Sequence, residues 1–306
     1  MTQMTVGFIG LGRMGRPVAV HLHAAGYPVS VLPGARRSAV AELQAAGCLL
    51  AETPATLAAA CDVVFTCLPS SATVARVASG ARGLLAEARP GFVHIDLTSG
   101  DPATDLVLAQ AYTEKGAHFA DVGMSGTPER AEAGQLTLMV GAADTTLATI
   151  EPLLAAFSSQ RLHFGAVGSG HRAKLIIAFY GMAIANATAE ALTVARRFDI
   201  DLAAIHKVIS GSGMNSTTFQ MMALAAMGQS AEARQLTIGS ARKDVANFVA
   251  MANEAGLATA IAPATLQSLT LAGAAGHAET FVSNLTAVLS AINGLEGTGR
   301  AGALPR

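Results

Sequence analysis

The sequence predicts an α/β domain built on a doubly wound parallel sheet, followed by an all-α domain, with a long helix joining the two. Three observations support this prediction. A glycine motif follows the first short apolar run, strand signals alternate with helix-length segments up to about residue 164, and strand signals then stop. The rest of the chain is rich in Ala, Leu and Met at helical spacing. We expect domains at 1–164 and 165–294 of the 306 residues, and a flexible, glycine-rich tail at 295–306.

The first element is a short buried strand at Val6–Ile9, followed by three glycines in the order G-x-G-x-x-G and then by a helical pattern to Ala25. In such a turn the first glycine allows a tight bend, and the second lets the backbone approach a pyrophosphate. The third lets the helix pack closely on the strand, with phosphates at the helix N-terminus. The motif predicts a Rossmann-type cofactor site; the alternative is a glycine-rich turn without a ligand. The expected cofactor contacts are Gly10, Leu11, Gly12, Arg13, Met14 and Gly15.

The later strands are predicted from short β-branched and aromatic runs. Most of these runs are separated by helix-length segments, which is typical of a parallel doubly wound sheet. The predicted strands are Val29–Leu32, Asp62–Leu68, Phe92–Asp96, His118–Asp121, Leu136–Val140 and Leu162–Phe164.

The composition is apolar, with 13% charged residues and a mean hydropathy of +0.44. Alanine raises that index, and the longest uncharged segment (255–276) carries Pro263 and Gln267, so a buried helix pair is predicted there rather than a membrane span. No export signal is visible at the N-terminus, and the net charge of −1 gives no indication of nucleic acid or anionic lipid as a partner. Three cysteines without metal-ligand spacing are interpreted as buried thiols, so we expect a cytoplasmic protein without a metal.

A second glycine-rich segment, Gly165–Gly170, opens a helix that is predicted to run to about Arg197. Lys174 lies about one turn inside this helix, between mainly apolar neighbours. A lysine is costly to bury unless it is paired or used, and a partly desolvated lysine is suited to donate or accept a proton. The alternative is a surface lysine whose stem packs on the protein.

Several segments stand in a definite order along the chain. They are GFIGLGRMGRPVA at the start, Asp62–Pro69, Asp96–Ser99, Asp121–Thr127, Lys174 and Lys243-Asp244. In this order they resemble the β-hydroxyacid dehydrogenases, the family that contains 3-hydroxyisobutyrate dehydrogenase, tartronate-semialdehyde reductase and glyoxylate/succinic-semialdehyde reductase. The resemblance extends from Val6 to about Leu289.

The resemblance implies a role for each segment. Lys174 corresponds to the catalytic lysine, and Ser125, Gly126 and Thr127 correspond to the loop that binds the substrate carboxylate. Asp121 begins that loop. The alternative to a direct role in substrate binding is that Asp121 only caps or braces the loop. The further cofactor contacts that the resemblance implies are Leu68, Pro69, Ser99 and Lys243.

Two departures from the family pattern stand out. The family usually carries Asn three or four residues after the lysine, whereas this chain has Ile177 and Ala178. His171 lies three residues before Lys174, on the same helix face. We hypothesise that His171, or the nearby Tyr180, supplies the missing polar contact to substrate; the alternative is a solvent-exposed histidine at the helix start. Gly123, Met124 and Thr127 also differ from the family loop, which predicts a substrate other than the family's commonest one.

The segment after the second predicted strand contains Arg36, Arg37 and Ser38 and no acidic residue. An acidic residue here would bind the ribose hydroxyls of NAD, whereas arginines suit the 2′-phosphate of NADP. NADP(H) is therefore predicted in preference to NAD(H). The alternative is that the arginines are solvated at a helix start.

Together these observations predict an enzyme that interconverts a small carboxylate-bearing semialdehyde, or a related carbonyl compound, and its hydroxy acid by hydride transfer. One alternative is an imine reductase of the same fold, against which Lys174 argues because that class usually has Asp or Tyr at this position. Another is a non-catalytic cofactor-binding protein. The long helix and the Ala/Met-rich second half predict a homodimer or a homotetramer.

Overall fold

Eight strands form one sheet in the computed structural model, which describes residues 4–34, 36–229 and 236–295. The strands are β1 (Val6–Ile9), β2 (Val29–Leu32), β3 (Leu49–Leu50), β4 (Val63–Thr66), β5 (Val93–Asp96), β6 (His118–Ser125), β7 (Leu136–Gly141) and β8 (Ser158–Gly165). Their order is β3-β2-β1-β4-β5-β6-β7-β8, and all neighbours pair in parallel except β6 and β7. The order reverses between β1 and β4, so a crevice lies at the carboxyl ends of these two strands.

Helices cover both faces of the sheet. They are α1 (Gly15–Ala24), α2 (Arg37–Ala45), α3 (Pro54–Ala60), α4 (Ser71–Ser79), α5 (Leu84–Glu87), α6 (Pro102–Thr113), α7 (Pro128–Glu132) and α8 (Asp144–Ala155). Alternate strand side chains enter opposite layers: Phe8 and Phe65 pack with helices α1 and α8, while Ile9 and Val64 pack with α3, α4 and α6. The predicted fold class is therefore confirmed, with a sheet buried on both faces.

The structure differs from the predicted sheet at β3, β6 and β7, and β8 begins at Ser158 where the prediction began at Leu162. β3 was not predicted, because its two residues are exposed and form no apolar run of strand length. β6 extends beyond the predicted end at Asp121 to Ser125, so most of the predicted carboxylate loop is strand. β7 is antiparallel to β6 because residues 126–135, with only the short helix α7, are too few for a crossover to a parallel neighbour.

The long helix predicted to open at Gly165–Gly170 and to run to about Arg197 is present as α9 (Ser169–Arg197). The chain divides into two compact units between Lys174 and Leu175, rather than at the predicted residue 164. The first turn of α9 belongs to the first unit because its backbone and side chains bond to residues of β6 and α6, as described below. By length and composition α9 could cross a membrane, which is weak evidence because core helices meet the same criteria.

The described part of the second unit is helical apart from an isolated antiparallel bridge between Thr237 and Phe281. After α9 it contains α10 (Leu202–Ser210), α11 (Thr217–Ala226), α12 (Ile238–Glu254), α13 (Ile261–Ala272), a π-helical turn (Gly273–His277), a 3-10 turn (Val282–Asn284) and α14 (Leu285–Ile292). Its core contains Met182, Met222, Ile238, Val245 and Val288, in which the flexible methionine side chains fill space between the helices. Apart from Leu295, the tail predicted at 295–306 lies outside the described residues.

Candidate functional site

The glycine turn after β1 has two glycines that the fold itself requires. Gly10 has φ of +105°, and a side chain there would collide with the carbonyl oxygen of Cys67. A side chain at Gly15 would collide with the carbonyl oxygen of Gly10. Gly12 is different, because a Cβ atom there would meet nothing within 4 Å. The protein's own packing therefore does not explain Gly12, whereas the approach of a ligand to its backbone does.

The N-terminus of α1 is also suited to a phosphate. Met14 precedes the helix and provides no side-chain hydrogen bond to its first turn, and no acidic residue lies in that turn. The start of α4, by contrast, is capped by Ser70, and the start of α6 by Asp101. The N–H of Arg16 donates to the carbonyl oxygen of Gly12 at 3.1 Å and Pro17 has no N–H, so an anion here would be bound by the remaining backbone N–H groups of the turn. The turn fits the pyrophosphate of a dinucleotide cofactor.

A cleft of about 480 Å³ adjoins this turn. Three arginines and two glutamates line it, together with Gly12 and Pro128: Arg13, Arg16, Arg36, Glu129 and Glu132. The guanidinium of Arg16 is already occupied, because it donates to Glu42 at 2.7 Å and to Glu132 at 2.9 Å. Arg36 is exposed and forms no ion pair with any residue in the described ranges. Arg37 is exposed as well but does not line this cleft, so the structure separates the two arginines that the sequence treats alike.

Gly12 offers a test that separates cofactor binding from the stability of the fold. We expect Gly12→Ala to weaken NADPH binding about tenfold or more, because the new methyl group occupies the approach to the backbone. The same substitution is expected to leave the free energy of unfolding unchanged or to raise it by about 0.4–1 kcal/mol, because it restricts the unfolded chain. Fluorescence titration with NADPH and urea denaturation measure the two effects. Gly273→Ala, at another site where a Cβ meets nothing, is the control and should leave NADPH binding unchanged.

The ends of β4 and β5 are joined by buried polar groups. The Thr66 hydroxyl donates to Asp96 at 2.7 Å, so the His94 ring must donate its Nε2 proton to Thr66 at 2.9 Å. Burial lowers the pKa of His94 to about 3, and the ring is neutral. Burial raises the pKa of Asp96 to about 6, and the backbone N–H of Thr98 donates to the same carboxyl group at 3.0 Å. These bonds fix the strand end from which the segment Thr98-Ser99-Gly100 leaves the sheet.

Thr98 links this segment to the next predicted contact. Its hydroxyl oxygen accepts from the backbone N–H of Leu68 at 3.0 Å. Leu68 is half-buried, and Pro69 is exposed at the carboxyl end of β4. The structure therefore brings Leu68, Pro69 and Ser99 to neighbouring strand ends, beside the crevice where the strand order reverses.

The first turn of α9 is held by Asp121 of β6. The fully buried carboxylate accepts from the backbone N–H groups of Gly168 at 2.6 Å and His171 at 2.7 Å. The capping role considered for Asp121 is therefore confirmed, although the helix it caps is α9 and not an element of its own loop. Burial raises the pKa of Asp121, and the charge of His171 and these two N–H groups oppose that rise.

Lys174 lies directly against β6. A Cβ atom at Gly123 would come within 2.6 Å of the Lys174 Cβ, so only glycine permits this approach of helix and strand. Gly123 stands two residues before Ser125, the end of β6. The structure thus brings the predicted catalytic lysine next to the strand that leads into the predicted carboxylate-binding residues.

The predicted carboxylate-binding residues Ser125, Gly126 and Thr127 differ in whether the fold itself already uses them. Ser125 is half-buried at the end of β6, and Gly126 has φ of +147°, which favours glycine. Thr127 caps α7, where its hydroxyl oxygen accepts from the backbone N–H of Arg130 at 3.3 Å. Its hydroxyl also bonds to Glu129, which holds the pKa of that carboxyl below its usual range. The Thr127 side chain is therefore engaged by the start of α7, and Ser125 and Gly126 are the stronger candidates for a carboxylate.

His171 lies elsewhere than the hypothesis placed it. Its side chain is fully buried, and its Nδ1 lies 2.8 Å from Asp105 Oδ2 on α6. A ring enclosed in this way does not reach a substrate. The hypothesis that His171 contacts the substrate is therefore wrong, and His171 instead forms a buried ion pair with Asp105. Tyr180, the second residue considered for that contact, is 67% exposed. The sequence analysis did not identify Asp105. The pattern that could have identified it is its position on the buried face of α6, in line with the apolar residues Leu108 and Tyr112.

The last predicted contact, Lys243, lies on α12 of the second unit. Its Nζ is 3.4 Å from Asp244 Oδ1, so the Lys243-Asp244 pair of the sequence is an ion pair in the structure. Asp244 is buried and Lys243 is about one-third exposed. A contact between Lys243 and the cofactor stays a prediction.

Two family models together cover most of the chain. The model for the NAD binding domain of 6-phosphogluconate dehydrogenase matches residues 5–167, more than half of the sequence. The model for the NAD-binding part of NADP-dependent 3-hydroxyisobutyrate dehydrogenase matches residues 168–289. The chain belongs to the β-hydroxyacid dehydrogenase family. The glycine turn lies within the segment that matches the NAD binding model, and the family that the sequence motifs suggested is confirmed.

Individual relatives agree with the family models. Mitochondrial 3-hydroxyisobutyrate dehydrogenase of Rattus norvegicus is 37% identical over 217 residues, which are 70% of this chain and 64% of the rat protein. The match thus spans slightly less than two thirds of that relative's length. Mycobacterium tuberculosis 3-hydroxyisobutyrate dehydrogenase with L-serine has the same fold, with a TM-score of 0.84 at 24% identity over 94% of this chain and 99% of that one. An imine reductase variant from Myxococcus stipitatus with NAD+ shares the fold more distantly, with a TM-score of 0.64 at 20% identity over 94% and 100% of the two chains.

Proposed function

We propose that this dehydrogenase interconverts a small carboxylate-bearing semialdehyde, or a related carbonyl compound, and the corresponding hydroxy acid with NADP(H). The observation that supports this best is the convergence of three motifs that lie far apart in the sequence. Lys174 packs on Gly123, two residues before Ser125. The segment that carries Ser99 reaches the same helix turn, since a Cβ at Gly100 would lie 2.9 Å from His171 Nδ1.

Each of these residues has a role that follows from its chemistry. The nicotinamide cofactor supplies the hydride for reduction and takes it up for oxidation. As the carbonyl is reduced, negative charge develops on its oxygen, and the Lys174 ammonium stabilises this charge and donates a proton. In the oxidative direction the Lys174 amine removes the proton from the hydroxyl group. Ser125 and the backbone of Gly126 hold the substrate carboxylate with hydrogen-bond donors and thereby orient the carbonyl.

The preference for NADP(H) is assigned to Arg36. Arg36 lines the cleft beside Gly12, whereas Arg16 in the same cleft is neutralised by Glu42 and Glu132. Guanidinium binds phosphate through charge-assisted hydrogen bonds, so Arg36 is the residue available for a 2′-phosphate.

We expect Arg36→Ala to reduce kcat/KM for NADPH about 10- to 100-fold and to leave kcat/KM for NADH nearly unchanged, because only NADPH carries the 2′-phosphate. Arg37→Ala is expected to have a smaller effect, since Arg37 lies outside the cleft. Arg82→Ala, an exposed arginine elsewhere in the first unit, serves as the unchanged control. A native enzyme that prefers NADH, or equal losses for both cofactors in Arg36→Ala, would contradict this assignment.

The reaction is tested by following NADPH absorbance with matched substrates. The panel contains small semialdehyde acids, their methyl esters and cyclic imines. We expect the acids to be reduced with a kcat/KM about 10- to 100-fold above that of their esters, because the ester removes the charge that Ser125 and Gly126 bind. Turnover of imines alone would instead support an imine reductase. Tight NADPH binding without any turnover would support a non-catalytic cofactor-binding protein.

The proposal includes a cytoplasmic homodimer or homotetramer. Large apolar side chains of α9 are half or more exposed in the single chain: Ile176, Tyr180 and Val194. Such side chains favour association with another apolar surface. Light scattering of the purified protein measures the number of subunits.

A further inference from the structure

The start of α9 carries a buried charged cluster that the proposed reaction does not use. It contains His171 with three carboxyl groups, Asp96, Asp105 and Asp121, and each of the four residues is at most 1% exposed. The carboxylates of Asp96 and Asp105 and a ring nitrogen of His171 lie within 4.8 Å of one another. Buried charges are costly unless they are paired, so this arrangement requires a reason.

His171 is the cation of the cluster. Burial alone would lower its pKa, but the carboxylates of Asp105, Asp121 and Asp96 outweigh burial and raise the pKa of His171 to about 9. The charged ring donates from Nδ1 to Asp105 at 2.8 Å. Its Nε2 is buried and has no hydrogen-bond partner among the described residues. The remaining charged groups of the same helix turn, Arg172 and Lys174, are partly or fully exposed.

The contacts of His171 fix the helix turn from two sides. Its backbone N–H is held by Asp121 on β6, and its ring is held by Asp105 on α6. The ring also lies against Gly100, where a Cβ would come within 3.0 Å of its Cε1 atom. Gly100 directly follows Ser99, so one side chain touches both the segment that carries Ser99 and the turn that leads to Lys174.

Lys174 follows His171 by three residues, and the two therefore share one face of α9. Rotation or sliding of this turn would move Lys174 along β6, and Gly123 leaves little space for such a change. We propose that His171 is a positioning residue, whose buried contact with Asp105 holds the first turn of α9, and with it Lys174, against the segment that carries Ser99. This proposal rests on the proposed function for the role of Lys174.

The test compares His171→Gln, Asp105→Asn and the double variant with the native enzyme. Exposed His118, replaced by Gln, is the control. We expect each single variant to lower kcat about 10- to 100-fold with an unchanged KM for NADPH, because displacement of a reacting group by about 1 Å has an effect of this size. The double variant is expected to be no worse than the poorer single variant, because it removes both members of one pair. If His171→Gln does not fold, Asp105→Asn and the double variant carry the comparison.

A second readout does not depend on turnover. The 13Cε signal of Lys174, assigned by its loss in Lys174→Met, should shift in His171→Gln, while the signal of exposed Lys115 should not. A shifted Lys174 signal in an enzyme that reduces no substrate in the panel would support the positioning role and reject the proposed reaction. An unshifted Lys174 signal, or a kcat within about twofold of the native value in both single variants, would overturn the positioning role.

Discussion

Lys174→Met is expected to lower kcat for carbonyl reduction by about two to four orders of magnitude, the usual contribution of a general acid. Methionine keeps an unbranched stem to pack against Gly123 and removes the charge and the proton donors. NADPH binding should change little, because the glycine turn and Arg36 lie on other elements of the fold. Stopped-flow reduction of the best substrate in the panel, with NADPH titration in parallel, separates the two effects.

The matched control is Lys115→Met, an exposed lysine between α6 and β6. It should retain the native kcat. If Lys174→Met also retained kcat within about tenfold, proton donation by Lys174 would be rejected, since a general acid contributes more than that. A loss of NADPH affinity in Lys174→Met would instead assign the residue to cofactor binding.

The second large effect is a dependence of stability on pH. Because the pKa of His171 is raised from 6.5 to about 9 in the folded protein, protonation of this ring stabilises the native state. This contribution is fully present below about pH 6.5 and is lost as the pH rises through 9. Its size is on the order of 3 kcal/mol. Urea denaturation at intervals between pH 6 and 10 measures it as a falling free energy of unfolding.

The titration of Asp96 does not hide this effect. Burial raises the pKa of Asp96 to about 6, so its stabilising contribution has already been lost at about that pH, below the range in which His171 titrates. The double variant His171→Gln/Asp105→Asn should show a flatter profile between pH 6.5 and 9, whereas His118→Gln should keep the native slope. An identical slope in the double variant would mean that His171 is neutral in the folded protein.

The parts of the fold that the sequence predicts are those with local signals. The glycine turn, the alternation of apolar runs and the helix from Ser169 to Arg197 can each be read from neighbouring residues. Strand direction is not a property of one segment: the apolar pattern of β7 is the same in either direction, and the short connection from β6 decides it. β3 gives no signal because both of its residues are exposed.

The same distinction applies to the site. Lys174 could be proposed from its apolar neighbours and from the family motif, and the pair Arg36 and Arg37 from the missing acidic residue. The surroundings of His171 could not be predicted from the sequence, because Asp105 lies 66 positions away and only the folded sheet brings α6 and α9 together. The sequence alone does not distinguish a solvent-exposed neutral histidine from a buried, protonated one. The position of Asp105 on an otherwise apolar helix face indicates a buried carboxylate that requires a partner, but it does not indicate which residue that partner is.

The contact between Asp105 and His171 also bears on how such chains can be recombined. The two family models divide the chain at residues 167 and 168, which places Asp105 and Asp121 in one half and His171 in the other. A chimera joined at that point would inherit the carboxylates from one parent and their counterion from another, and three buried acids would face whatever residue the second parent supplies. A junction after Lys174 keeps the charge set together. The cluster is therefore kept intact only when the whole segment up to Lys174 comes from one parent. We expect chimeras of relatives that are joined after the first turn of α9 to fold, and chimeras joined before it to be destabilised.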